Sequence, residues 1–368
     1  MAKTKEKTAL YGSEVLSRAM ADSLTDWFAQ NRRDLPWRTD RTSYGIWVSE
    51  IMLQQTTISA VIGYYDRFMK RLPDMKALAE CPEDELMKLW EGLGYYSRVR
   101  NLQKTAKLLT EAGETTLPAD HKSLLALPGI GPYTAGAIAS MAFDLPYPAV
   151  DGNVLRVLAR LSGLQEDITK AEVRKQTEKE LTSFLAENKN VRPSLFNEGI
   201  MELGEVICLP HGRPLCKDCP LSDRCLACRK GMTEDLPVRS ARPERKLEKR
   251  TVFLLTCGVR TAIRKRPKGG LLSGLYEFPN VPGHLTEEEA MTCLGDMGFE
   301  ARTIKKGPES RHLFTHIEWQ LISYEVTLDN CKESDSDYIF ADTEELEHTY
   351  ALPGAFEKYR KHLLQGRA

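Results

Sequence analysis

Leu127–Ser140 reads LPGIGPYTAGAIAS, and AVDGN follows across a short YPAV link, with its carboxylate at Asp151. Gly129 and Gly131 flank one apolar residue. Pro132 stands where the first turn of a helix accepts it, because a first-turn N–H has no intrahelical partner. Two glycines there let the backbone turn tightly and point successive N–H groups outward at a helix N-terminus. Such a cluster of donors binds a phosphate without a positive side chain. Taken alone, the stretch is equally a Gly-rich turn between packed helices. Its setting, with a helix after it and an acidic residue opening the next, points to a helical hairpin on nucleic acid.

Composition bounds the rest. The 368 residues suffice for two or three domains, and 42% hydrophobic with 28% charged residues is ordinary for a globular chain with a sizeable core. No apolar run approaches the roughly 18 residues of a membrane helix. MAKTKEKTALYG is basic without an apolar stretch, so no secretory signal is expected. A net charge of −1 does not announce a nucleic-acid binder, which leaves local patches and oriented N–H groups to attract DNA. Nine cysteines without a signal point to a reducing compartment and a metal centre, not to disulfides.

Residues 1–12 read as a disordered tail. Ser13 to Arg33 reads as an amphipathic helix carrying Val15, Met20, Leu24, Trp27 and Phe28 on one side. A Pro-Trp-Arg turn with Arg38 precedes a helix from about Tyr44, in which Glu50 lies among Trp47, Val48, Ile51 and Leu53. That carboxylate is either on a solvated stripe or partly buried for a purpose. Glu91–Asn101, EGLGYYSRVRN, has two glycines, two tyrosines and two arginines, a composition that suits a loop meeting phosphates and bases; tyrosines packing the loop onto a core explain it as well. Asp151 is placed to cap a helix with Val154, Val157, Leu158 and Leu161 inward, and Thr169 with Glu172 forms a second capping signature. From Ser13 to about Met232 no strand pattern is visible.

CLPHGRPLCKDCPLSDRC places Cys208, Cys216, Cys219 and Cys225 at intervals of seven, two and five residues. Four thiolates so close suit zinc or an iron–sulfur cluster. Cys228 lies outside the pattern, and Cys81, Cys257, Cys293 and Cys331 read as ordinary apolar residues. His211 and Arg213 in the first interval are placed to present charge to a DNA backbone. From about Gly231 to 250 the chain reads as a polar, Pro-interrupted linker. Eleven Lys/Arg against two Asp/Glu between Val238 and Lys268 mark a solvated edge or a DNA-facing patch. TVFLLTCGVRTAIRKR, GLYEFPNV, RHLFTHIEWQLISYEV and SDYIFA then supply strand runs, with a helix at TEEEAMTCLGDMGF.

Three features together are similar to the MutY-type adenine glycosylases of the helix-hairpin-helix superfamily. They are WVSEIMLQQT around Glu50, LPGIGPYT with Asp151, and the cysteine loop from Cys208 to Cys225, with Pro220 directly after its third cysteine. The region from Thr251, through GGLLSGLYEFPNV, resembles the Nudix fold without its REUXEEXGU metal-binding helix, which argues against diphosphate hydrolysis. The resemblance implies an all-α core over 13–230, with a six-helix part at about 36–149 and a cluster part from 13–35 and 150–230. A [4Fe–4S] cluster would sit on the four cysteines, although the family's usual first interval is six residues. An α+β Nudix-like domain over 251–368 completes the expected chain.

The implied partner is double-stranded DNA with adenine opposite 8-oxoguanine or guanine, bound by a monomer in the bacterial cytoplasm at the nucleoid. Cutting an N-glycosidic bond calls for one carboxylic acid and one carboxylate. Glu50, among apolar neighbours that raise its pKa, is the acid. The family assigns it protonation of adenine N7 and activation of water. Asp151 stays ionised at its helix N-terminus and stabilises the cationic sugar, while Asn153 orients the site. Gly129 and Gly131 meet phosphate, Arg38 contacts DNA, Gln55 and Tyr95 enter the stack, and Glu198 contacts the flipped adenine. Phe314-Thr315-His316 stands for the family's Phe-Ser-His signature. Tyr133, counted as catalytic, replaces the lysine of bifunctional endonuclease III enzymes, which forms a Schiff base. The expectation is therefore a monofunctional glycosylase. The alternatives are a bifunctional glycosylase/lyase, a non-catalytic damage sensor and an iron–sulfur electron carrier.

Overall fold

The computed structural model describes residues 9–241, 243–331 and 337–365. The chain divides into two compact units: the residues up to Glu80 with Asn101–Ala241, and Cys81–Arg100 with the residues from Arg242 onward. Helices run α1 Arg18–Asn31, α2 Pro36–Thr39, α3 Ser43–Leu53, α4 Ile58–Arg71, α5 Met75–Glu80, α6 Glu83–Leu89 and α7 Ser97–Glu111. They continue as α8 His121–Leu125, α9 Pro132–Phe143, α10 Gly152–Ser162, α11 Ala171–Glu187, α12 Pro193–Val206 and α13 Leu226–Lys230. Among the described residues of the first unit there is no strand.

Caps explain the starts. The Ser17 hydroxyl accepts from the Met20 N–H, so α1 begins five residues later than the periodicity from Ser13 suggests. It buries Met20, Ala21, Leu24 and Phe28 along one stripe. Thr42 caps α3, whose residues Tyr44–Met52 are all buried. A helix buried all round has no solvated stripe, so Glu50 lies inside. Gly131 and Pro132 open α9, which buries Thr134–Met141 without interruption and ends at Asp144 in the left-handed region, φ 51°.

The link to α10 lies directly on α9. A Cβ on Gly136 would stand 2.0 Å from the Pro148 carbonyl oxygen, so only glycine lets the two backbones meet. That approach sets where Asp151 begins α10, and its carboxylate caps the helix by accepting from the Val154 N–H at 2.8 Å. One apolar core joins Tyr11, Met20 and Leu24 to Leu158 of α10, Leu181 of α11, Phe196 of α12 and Leu236.

Several expectations are corrected. Residues 1–8 lie outside the described residues, but 9–12 are held in place. The N–H groups of Leu10 and Tyr11 donate to Glu180, and the Tyr11 ring is buried. Thr169 forms no capping box, since its hydroxyl and N–H both turn to Asp167 and Lys170 stands at the start of α11. The segment 231–250 is not a free linker. Leu236 and Val238 pack into the first unit's core, Ser240 is bound by Asp167, and a strand starts at Lys246.

The second unit is built on a mixed sheet. Its strands are β1 Lys246–Cys257, β2 Arg260–Lys265, β3 Tyr276–Glu277, β4 Asn280–Pro282, β5 Ala301–Lys306, β6 Ser310–Leu313, β7 Ile317–Leu328 and β8 Tyr338–Ala341. The order is β3-β2-β1-β7-β5, with β4 on β1, β6 on β7 and β8 on β2. The central pair, β1 and β7, is parallel from Lys246↔Ile317 to Thr256↔Thr327. Successive side chains of β1 face opposite ways. Val252 and Leu254 pack on one side with Phe356 and Tyr359, Phe253 and Leu255 on the other with Ala290 and Leu294. Helix α14 Glu287–Asp296 covers the latter face, and α15 Thr343–His348 and α16 Glu357–Gln365 follow β8. Strand β5 and the last two helices were not anticipated.

Cys257 and Cys331 are joined in a disulfide, with Cα atoms 5.8 Å apart, which corrects their reading as plain apolar residues. The parallel pairing of β1 with β7 brings the ends of both strands side by side, a neighbourhood that spacing alone does not show.

Gly136→Ala is expected to destabilise the first unit by roughly 1–3 kcal/mol through overpacking against Pro148, which denaturant unfolding checks.

Candidate active site

A cleft of about 910 Å³ opens in the first unit. Glu50 of α3, Gln55, Gly129 and Gly131 of the hairpin, Tyr133 of α9, Asp151, Asn153, and Glu198 of α12 all line it. Arg38 lines it as well, together with Arg33 and Glu202, which the sequence reading did not single out. The structure thus brings together residues spread over more than 150 positions.

Glu50 is 6% exposed, and its carboxylate accepts a 2.5 Å hydrogen bond from the Tyr133 hydroxyl. Burial pushes its pKa up, the Tyr133 bond pulls it back, and the charges of Asp151 and Glu198 push it up again, to about 7. Tyr133 is itself driven well above its usual range by burial and by the negative charges of Glu50 and Asp151, so it stays a donor.

Asp151 differs in detail from expectation. Burial raises its carboxyl, and the N–H groups of Val154 and Asn153, with Arg156, act against that rise. The helix N-terminus therefore offsets burial and does not outweigh it. Asn153 donates to Asp151 at 2.9 Å and to Glu205 at 3.1 Å, and its own oxygen accepts from Arg156 at 2.7 Å. Arg156 also reaches the carbonyl of Cys208.

Glu198 is not on a helix surface. It is 6% exposed and paired with Arg41 at 2.7 Å and Arg38 at 3.4 Å. One turn on, Glu202 accepts from Arg33 at 2.7 and 2.9 Å and from Arg38 at 2.9 Å. Burial alone would raise Glu202; these arginine bonds outweigh it and hold the group at about 2. The i,i+4 spacing of Glu198 and Glu202 and the run of Arg33, Arg38 and Arg41 were the signals available in the sequence.

The hairpin is open. Gly129 has φ 75°, and a Cβ there would stand 2.5 Å from that of Asn101. Gly131 heads α9 without a side-chain cap, and a Cβ on it would meet nothing within 4 Å. Gln55, just after α3, has φ 60°.

In the second unit, Tyr95 is 45% exposed with φ 47°, and its loop is held by bonds from Trp90 and Arg98 to the Gly94 carbonyl. Thr315, at the tip between β6 and β7, meets the Tyr95 hydroxyl at 2.5 Å. Phe314 packs edge-on against Trp319 at 5.0 Å, and His316 is exposed.

The thiols of Cys208, Cys216, Cys219, Cys225 and Cys228 line one apolar cavity in the first unit. Burial and the neighbouring thiols push Cys216 up to about 11 and Cys219 to about 12. Thiolates crowded in this way need a cation to stabilise them, and a thiophilic metal centre suits that donor set. Among the described residues, no group of three or more His, Cys, Asp or Glu side chains is arranged to hold a metal ion. The Leu215 N–H returns to the Ile207 carbonyl at 2.9 Å, so the seven-residue interval closes as a loop.

Comparison with known proteins agrees with this geometry. Residues 48–183 match the HhH-GPD superfamily base excision DNA repair protein family, and residues 251–362 match the NUDIX domain. The chain is 34% identical over 376 residues to adenine DNA glycosylase of Mus musculus, covering 86% of this chain and 72% of that one. It is 36% identical over 259 residues to adenine DNA glycosylase of Buchnera aphidicola subsp. Schizaphis graminum, covering 70% and 73%. A thermostable thymine-DNA glycosylase structure superposes with a TM-score of 0.52 at 26% identity, over 59% of this chain and 98% of that one.

Between about pH 4.5 and 7 the folded chain keeps a Glu50 proton that the unfolded chain has released. Raising the pH through that window therefore lowers stability. Glu50→Gln is expected to be more stable than the parent at pH 8 by roughly 2–3 kcal/mol, with the gap closing towards pH 4.5. Denaturant unfolding across pH checks it; a gap that does not change with pH would refute the raised carboxyl.

Proposed function

The chain belongs to the adenine DNA glycosylase family of base excision repair, and on that premise we propose that it removes adenine opposite 8-oxoguanine or guanine without cutting the strand. The observation that carries this reading is the protonatable Glu50, held by Tyr133 and sharing a cleft with Asp151.

Near neutral pH Glu50 supplies a proton to adenine N7 as the glycosidic bond breaks, and its carboxylate then takes a proton from the attacking water. Asp151, fixed by Asn153 and the Val154 N–H, faces the developing positive charge of the sugar. Glu198 offers an acceptor to the adenine amine, and Arg38 and Arg41 pair with it. Guanine presents an oxygen at the corresponding place, which a carboxylate repels. The base reaches this cleft only after leaving the stack, which costs a few kcal/mol. Gly129 and Gly131 at the hairpin, and Gln55 beside it, are the groups we assign to the DNA that holds it there.

None of the described residues lining the cleft is a lysine, and Tyr133 cannot form an imine; both support a monofunctional reaction. In the second unit, the exposed Thr315 and His316 at a strand tip, with Phe314 anchored on Trp319 and Tyr95 beside Thr315, support recognition of the opposite base. The ring of cysteines supports a [4Fe–4S] cluster on Cys208, Cys216, Cys219 and Cys225. A cluster needs its thiolates at separate corners and not converging on one point. When bound it would hold the loop from Cys208 to Cys225 together. We further propose action as a monomer at the nucleoid of a bacterial cytoplasm.

Single-turnover assays on duplexes pairing adenine with 8-oxoguanine, guanine, cytosine or thymine test the reading. Release is expected opposite 8-oxoguanine and guanine, with strand breaks only after alkali. Glu50→Gln and Asp151→Asn are each expected to slow release by about a hundredfold to ten-thousandfold. Breaks without alkali would overturn the monofunctional reading, and equal release from all four duplexes would overturn the mispair preference.

A further inference from the structure

The tip that carries Thr315 is gripped on both sides from the start of β1. Its turn is closed by the Phe314 N–H, which donates to the Ile317 carbonyl at 2.8 Å. Both carbonyls that flank Thr315 find donors in the neighbouring strand's approach. Arg245 donates through Nε to the Phe314 carbonyl at 2.8 Å, and the Lys246 N–H donates to the His316 carbonyl at 2.9 Å. With the Tyr95 hydroxyl against that of Thr315, three stretches of the second unit meet around one side chain.

These contacts are not equivalent. The Lys246 bond continues the parallel β1–β7 ladder, whose first pair is Lys246↔Ile317, and any residue but proline could make it. Arg245 is exposed and stands one residue before that ladder. Its bond lies at the surface, where water would satisfy the Phe314 carbonyl as well. What the guanidinium adds is direction, through a charge-assisted bond of fixed geometry. The Phe314 ring is already seated on Trp319, so the Phe314–Thr315 peptide is the part that Arg245 orients. Because that peptide is a rigid plane, holding its carbonyl also sets the direction in which Thr315 leaves it.

We propose that Arg245 is a positioning residue for the base opposite adenine, fixing through the Phe314 carbonyl the direction in which Thr315 presents its hydroxyl. Guanine offers an acceptor at N7, whereas 8-oxoguanine carries a proton there and an oxygen on C8. A hydroxyl that turns freely suits either edge. Discrimination at this contact therefore depends on how firmly Thr315 is held. The inference rests on the reading of this tip as the opposite-base site.

The test measures dissociation constants of the full chain for duplexes with 2′-fluoro-2′-deoxyadenosine opposite 8-oxoguanine or guanine. The fluorine disfavours positive charge on the sugar, so the base is not released during the measurement. The parent is expected to prefer 8-oxoguanine. Arg245→Met keeps the stem and removes the donors; it is expected to weaken binding opposite 8-oxoguanine by roughly five- to thirtyfold, and opposite guanine by less than about twofold. Arg245→Lys keeps a charged donor and is expected to recover part of that loss. In a Thr315→Val background, Arg245→Met is expected to cost less than about a further twofold, because both changes act through one hydroxyl. Equal losses on the two duplexes overturn the positioning role and leave a plain phosphate contact or a disturbed fold in its place. Unchanged binding by Arg245→Met, or losses that add in the double variant, overturn it too. A parent without preference for 8-oxoguanine overturns the reading of the tip itself.

Discussion

The hydrogen bond between Tyr133 and Glu50 joins the two helices on which the cleft is built. Helix α3 is buried on every side, so a carboxyl on it faces apolar surroundings with little solvation of its charge. One hydroxyl donor at 2.5 Å orients that group without neutralising it. A cation in the same place would favour the ionised form of Glu50 and work against the proton donation proposed for it. A second apolar neighbour would leave the carboxyl unfixed. Tyr133 supplies orientation from the first turn of α9, the helix that Gly136 lets the Asp151 link approach. Glu50, Tyr133 and Asp151, the groups of the proposed reaction, are thus held by the packing of α3, α9 and the start of α10.

Six carboxylates line this cleft, and what distinguishes the four nearest the hairpin and the arginines is who neutralises each. Glu202 has Arg33 and Arg38 and stays charged under all ordinary conditions. Glu198 shares Arg38 and takes Arg41. Asp151 has amide donors from α10 and Asn153 but no ion pair of its own. Glu50 has the tyrosine as its hydrogen-bond donor and only the more distant charge of Arg38, against burial and two like charges that raise it. Environments that push titratable groups apart divide the labour between acid and base. The arginine-rich stretch between α1 and α3 thus matters to Glu50 by what it does for its neighbours.

Much of this was legible in the sequence where local chemistry decides the outcome. The Gly-Pro hairpin, the cap at Asp151 and the Val/Leu stripe of α10 are set by neighbours within a few residues. What could not be read depends on pairing at a distance. Glu202 meets Arg33 across 169 positions, and Cys257 meets Cys331 only because β1 and β7 run parallel. Thr169 and Glu172 fit a capping box locally, yet Asp167 binds the threonine and also reaches Ser240, a contact across the fold that the local pattern omits. The ion pairs of Glu198 could not be read for the same reason: its arginines come from another part of the chain.

Strain marks two of the positions assigned to DNA. Among the described residues, four that are not glycine have positive φ, and Gln55 and Tyr95 are two of them. Each such residue costs of order 1–3 kcal/mol and persists only where the surroundings over-determine it. Gln55 follows the end of α3, is exposed, and lines the cleft. Tyr95 keeps a large ring exposed while Trp90 and Arg98 pin the backbone around it. An apolar ring that folding alone governed would turn inward, since exposure forfeits its burial energy. Both backbones are held in a shape that leaves the side chain reaching outward, and on the proposed reading a stacked base would cover it.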